Sequence, residues 1–208
     1  MNLLRRPFRY RNDNVALILI ALNIGVFLLE QVYPPVKYYA ALNPGAVLSG
    51  WVWQFVSYMF AHGNFSHLLF NMLALFLFGT QVERHIGSRE FLLYYMLTGT
   101  LAGIFSFLVY WFTGAYGVFL LGASGAIFAV QLAYATLFPD AVIFIWGILP
   151  LRAPIMVLGF TALEIFSSVT GMGRGVAHLT HLAGFAFGWI YFLIRFGENP
   201  WNSLIRRR

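Results

Sequence analysis

Six apolar runs separated by short polar breaks organise this chain. They cover Val15 to Val32, Phe65 to Thr80, Phe91 to Phe112, Leu121 to Leu137, Ala153 to Thr170 and Val176 to Phe196. Runs of this length predict membrane-crossing helices rather than buried strands. The stretch Phe138 to Arg152 is apolar too, but prolines near both ends leave only about ten residues between them. It predicts a re-entrant or interfacial connector and not a seventh span. Tyr33 to Asn64 is the one sizeable non-spanning segment. Its prolines (Pro34, Pro35, Pro44) and aromatic residues (Trp51, Trp53, Phe55, Tyr58) predict a loop at headgroup level anchored by its rings. No internal repeat, low-complexity stretch or second domain interrupts the pattern. The expected organisation is a basic tail over residues 1–14, one membrane domain over 15–196 with its outer loop at 33–64, and a basic tail over 197–208.

Composition fixes the class. Of 208 residues, 60% are hydrophobic and only 10% charged, and the mean hydropathy is +0.75. A soluble domain of this size cannot hide that much apolar surface, so most of the solvent must be lipid. The expected fold is an all-α polytopic membrane protein, a six-helix bundle. The net charge of +6 does not point to nucleic acid, because most of the basic residues flank the spans. With both termini in the cytoplasm, Arg5, Arg6, Arg9, Arg11, Arg84, Arg89, Arg152, Arg195, Arg206, Arg207 and Arg208 lie inside and only Lys37 and Arg174 outside. Four arginines precede the first run without a convincing cleavage site after it, which predicts a retained anchor in the cell membrane. There is no cysteine, so thiolate nucleophiles, disulfides and thiolate-bound metals are excluded.

Polar groups inside a bilayer are costly and therefore informative. His85 sits beside Arg84 in an inner loop and reads as a solvated residue. The other histidines, His62, His67, His178 and His181, fall at the outer ends of the second and sixth spans, at the level of Asn71 and Ser124. Ser124 lies in Gly122-Ala123-Ser124-Gly125. Glycines there permit a sharp turn that starts a helix with the serine on its first turn, the logic of a nucleophile elbow. From Ser124 to Leu137 a helix extends about 21 Å, against a hydrocarbon core of about 30 Å, which sets the serine below the outer surface. Gly184 and Gly188 lie three and seven residues after His181 and share its helical face. That small-residue ridge lets a neighbouring helix bring its serine to the imidazole. His178 lacks such a ridge and is expected as a supporting or mouth residue. His67 and Asn71, four residues apart, can donate to a developing oxyanion together with the Ser124 amide. His62 is expected near the surface, supporting the outer loop.

Taken together, His62-x4-His67-x3-Asn71, Gly122-x-Ser124-Gly125 and His181-x2-Gly184-x3-Gly188, in this order on six spans, resemble the rhomboid family of intramembrane serine proteases. Trp53-Gln54 resembles the family's Trp-Arg pair with Gln in place of Arg, and Glu83 matches a carboxylate at the end of the second span. Phe128 stands where some members carry a Tyr stacked on the histidine, so stacking is retained and the hydroxyl is lost. The resemblance implies hydrolysis of single-pass transmembrane substrates near the outer membrane face by a Ser124–His181 dyad, without cofactor or metal. No carboxylate is expected as a third member. Glu164, the only candidate in the outer half of the fifth span, is assigned to helix–helix hydrogen bonding or gating. The site is expected to open outward through a cavity lined by His62, His67, Asn71 and His178.

Two other classes compete. A catalytically inactive rhomboid-like binding protein would be expected to have lost Ser124 or His181, and both are present. A metal or haem protein ligated by the clustered histidines would leave the serine and its glycines unexplained, and there is no His-Glu-x-x-His motif.

Overall fold

The computed structural model describes residues 5, 6, 8–145, 147–170 and 175–205. Arg174 and Arg206–Arg208, part of the charge asymmetry above, lie outside the described residues. The chain opens with α1 (Val15–Val32), followed by three short helices, α2 (Pro35–Ala40), α3 (Pro44–Leu48) and α4 (Gln54–Ser57). Next, α5 (Phe65–Ala74) passes through a π-helical turn at Leu75–Gly79 into α6 (Thr80–Ile86). Then come α7 (Ser88–Phe112), α8 (Ser124–Leu137), the strands β1 (Val142–Ile145) and β2 (Leu149–Arg152), and α9 (Ala153–Thr170). Finally α10 (Gly175–Tyr191) runs through a second π-helical turn, Phe192–Phe196, and α11 (Pro200–Leu204) follows.

Among the described residues five helices are long and apolar enough to cross a membrane, and the sixth, α8, has only 14 residues. Its brevity has a physical basis. Ala126, Ala129, Val130, Leu132, Ala133 and Ala135 are all fully buried, so α8 is wrapped by protein on every side and meets little lipid. It packs against α7, α9, α10 and α11. The helix starts at Ser124 rather than at Leu121, three residues inside the apolar run.

The segment from Phe138 to Arg152 is an antiparallel hairpin, with Val142 opposite Arg152 and Ile145 opposite Leu149. β-branched residues line β1, and Gly147 supplies the positive φ of 71° that the turn needs. The bundle is thus all-α with one appended hairpin.

The outer segment is not a loose headgroup loop. Tyr58 and Met59 are fully buried against α7, where Gly103 and Gly99 leave room for them, and the Tyr58 hydroxyl donates to the Gly99 carbonyl at 2.7 Å. Buried Gln54 accepts from the Asn43 amide at 3.0 Å and donates to the carbonyls of Tyr38 and Tyr39. These bonds knit the short helices into a cap. Only its rim, where Tyr39, Trp51 and Trp53 stack, keeps the anchor character expected of the whole.

At the opposite, basic end, buried Glu83 accepts from the Val15 and Ala16 amides at 2.7 and 2.8 Å and from the Ser88 hydroxyl at 2.5 Å. A carboxylate there satisfies the orphan amides that begin α1, which Asn14 leaves uncapped. Glu90 holds Arg195 through two 2.7 Å bonds and also accepts from the Tyr191 hydroxyl, tying α7 to the last span. Residues 200–204, expected as part of a tail, form α11, whose Pro200 and Leu204 are buried on the bundle.

Candidate active site

Ser124 is the first helical residue of α8, and the turn before it is held from outside the bundle. Leu42 and Leu120 exchange backbone hydrogen bonds of 2.8 and 2.9 Å, and the Asn43 side chain donates to the carbonyls of Tyr116 and Val118. The Gly122 amide donates to the Tyr58 carbonyl at 2.9 Å. Gly122 has φ +117°, a region side chains disfavour, and a methyl there would lie 2.6 Å from Cε1 and 2.7 Å from Nε2 of His67. Only glycine both makes this turn and lets His67 lie beside the serine.

On α10 the small-residue ridge faces α8 as the spacing predicts. A methyl on Gly184 would drive into the Gly125 backbone carbonyl, and one on Gly188 would come within 2.5 Å of the Tyr94 hydroxyl and 3.0 Å of the Ala129 side chain. Gly125 in turn abuts Ala102 and Thr180. With the helices at backbone contact, Ser124 Oγ lies 2.7 Å from His181 Nε2. The Phe128 ring lies flat on the imidazole, with centroids 4.6 Å apart and planes 6° from parallel.

Glu164 makes the helix–helix hydrogen bond expected of it, to His178, and it also reaches the pair, where no third carboxylate was expected. Glu164 on α9 places Oε1 at 3.1 Å from His181 Nδ1 and Oε2 at 2.6 Å from His178 Nδ1. The sequence carried a signal, since an ionisable residue inside an apolar span is a functional candidate by default. Nothing in the spacing, however, ties position 164 to two residues on another helix.

His67 and Asn71 project from the first two turns of α5, whose start is capped by Asn64 accepting from the His67 amide at 2.8 Å. Asn71 is buried, and its Nδ2 has no hydrogen-bond partner. A buried, unsatisfied donor costs about 1–3 kcal/mol, so its persistence beside the serine is informative. A cavity of about 370 Å³ lies here, lined by His67, Asn71, Ser124, Phe128, Glu164 and His181 among others. His62 and His178 do not line it, which corrects two of the four expected wall residues.

His62 is not near the surface either. It is fully buried, its amide faces Glu30 at 3.4 Å, and its ring meets His67 edge to face at 5.1 Å. Burial, reinforced by neighbouring His67, pushes the His62 pKa down to about 4, so the ring is neutral near pH 7. His85 is exposed on α6, as expected, with its ring against Phe138.

Residues 49–198 match the family model of the rhomboid domain. The chain belongs to the rhomboid family. It is 28% identical over 197 residues to RHOMBOID-like protein 12, mitochondrial, of Arabidopsis thaliana, covering 85% of this chain and 57% of that one. It is 35% identical over 88 residues to the putative rhomboid protease YdcA of Bacillus subtilis, 42% of each chain. It is 26% identical over 198 residues to the rhomboid protease AarA of Providencia stuartii, covering 84% of this chain and 69% of that one. The chain spans about half the length of the first two relatives. It is a membrane-embedded rhomboid protein, and its site presents a hydroxyl, an imidazole and a buried amide donor to one cavity.

Proposed function

We propose that this rhomboid is an intramembrane serine endopeptidase that cleaves single-pass transmembrane substrates. The observation that carries the proposal is the 2.7 Å hydrogen bond from Ser124 Oγ to His181 Nε2 at the wall of a cavity inside the bundle. In water a serine hydroxyl is a weak nucleophile, and a positioned base activates it. His181 Nε2 takes the Ser124 proton as Oγ attacks the substrate carbonyl carbon, and the carbonyl π electrons move to oxygen. The resulting oxyanion is held by the Ser124 amide at the start of α8, by Asn71 Nδ2 and by His67. Collapse breaks the C–N bond while His181 returns the proton to the leaving amine. Water then attacks the acyl carbon and gives its proton to His181; as the C–Oγ bond breaks, His181 returns that proton to Oγ, so Ser124 is regenerated and the new carboxylic acid terminus leaves.

Asn71 supports this assignment because no protein group holds its donor. A donor already engaged would have to break a bond before meeting the oxyanion. Gly122, Gly125, Gly184 and Gly188 act through backbone approach, and Phe128 fixes the imidazole plane. His62 supports His67 from beneath. Charge asymmetry orients the protein with the end bearing Glu83 and Arg195 in the cytoplasm and the cavity toward the extracytoplasmic side of the cell membrane.

The test is cleavage of a reporter transmembrane segment in proteoliposomes. Wild-type protein cleaves it, whereas Ser124→Ala and His181→Ala do not, although both retain the wild-type unfolding temperature. Undiminished cleavage by Ser124→Ala would refute the assignment.

A further inference from the structure

We propose that Glu164 is a positioning residue for His181, completing a Ser124–His181–Glu164 relay in which His178 braces the carboxylate. This rests on the serine-protease assignment above. An imidazole accepts a proton at Nε2 only when Nδ1 carries the other one, and an acceptor facing Nδ1 favours that tautomer. Oε1 of Glu164 stands 3.1 Å from that nitrogen, although it lies off the line of the N–H bond in the resting protein. Such contacts are commonly loose before substrate binds and tighten as the imidazolium forms.

The second oxygen explains why the carboxylate stays in place. Oε2 is 2.6 Å from His178 Nδ1, so each oxygen faces one imidazole. Glu164 and both rings are no more than about a fifth exposed, which weakens competition from water. Phe128 restrains the His181 ring by stacking on its face, but a flat stack does not tell the ring from its 180° flip about the Cβ–Cγ bond. Glu164, facing Nδ1, selects the orientation that turns Nε2 toward Ser124. Through catalysis it stays ionised, accepts from Nδ1–H and stabilises the positive charge that His181 gains when it takes the Ser124 proton.

Two other roles fit the same atoms. Glu164 could merely pin α9 to α10 through His178. Alternatively, its carboxylate with His178 and His181 could hold a divalent cation, since their ligand atoms lie within 4.8 Å of one another.

The deciding experiment measures kcat, KM and unfolding temperature for Glu164→Ala, Glu164→Gln and Glu164→Asp in proteoliposomes. Alongside them, the rate at which a fluorophosphonate labels Ser124 is followed. Relay positioning predicts that Ala lowers kcat about a hundredfold or more and Gln at least about tenfold, with KM changed less than about threefold. Asp should recover part of kcat, and the labelling rate should fall in the order of kcat. His178→Ala should reduce kcat by about threefold to tenfold. Wild-type kcat in Glu164→Gln, or a lowered unfolding temperature with kcat retained in Glu164→Ala, would overturn the proposal in favour of helix pinning. Loss of activity with EDTA and its return with zinc would overturn it in favour of a metal site. Ser124→Ala in the same preparation separates failure of this relay from failure of the serine mechanism, because only the latter leaves its cleavage intact.

Discussion

Gly184→Ala tests whether backbone contact between α8 and α10 sets the chemistry. The Gly125 carbonyl oxygen occupies the space the added methyl would need. A carbon and an oxygen settle near about 3.5 Å, so α10 has to retreat by more than about 1 Å. The bond from Ser124 Oγ to His181 Nε2, now 2.7 Å, would then stretch beyond about 3.5 Å and cease to be a hydrogen bond. Misplacement of about 1 Å costs about a hundredfold in rate, while overpacking costs about 1–3 kcal/mol of stability, which many folded proteins tolerate. The assay is reporter cleavage in proteoliposomes, with thermal unfolding of the same preparation. Gly25→Ala on α1, where nothing lies within 4 Å of the added carbon, is the control and should retain full activity. A Gly184→Ala protein that cleaves within about threefold of wild type would refute the reasoning.

Asn71→Ala should lower kcat by about 10²–10³ with little change in KM, since its donor, which no protein group holds, acts on the charge of the transition state. Glu83→Ala should cost about 2–4 kcal/mol in unfolding experiments while sparing kcat, because it strands the first amides of α1 far from the cavity. Stability should fall as pH drops from about 6.5 toward 4. In that window an unfolded histidine binds a proton that buried His62, with its pKa near 4, refuses, so the unfolded state gains by up to about 3 kcal/mol. A His62→Asn variant should show a shallower slope, as read by unfolding at pH 7 and pH 5.

Much of this site was legible because lipid makes polar residues conspicuous. Ser124, His181, His67 and Asn71 stood out against apolar runs, and the spacing of Gly184 and Gly188 already placed two backbones in contact. Helical periodicity carries such information because it is local. What it does not carry is pairing between distant segments. Glu164 meets its histidines only because α9 lies against α10, and His62 is buried only because the outer cap folds down on α7 and α1. The packing of that cap is not legible locally, because its aromatic residues suit a headgroup loop and a folded cap equally well. The hairpin form of the Val142–Arg152 connector is hidden for a similar reason, since a short apolar run gives no period to separate strand from helix.

The most direct test of the central claim is covalent. A serine-directed fluorophosphonate is added to the membrane-reconstituted protein, and its adducts are mapped by peptide mass. An activated Ser124 predicts a single adduct on the peptide containing it, lost in His181→Ala. A folded protein that takes up no label, or takes it up elsewhere with Ser124 unmodified, would contradict the account.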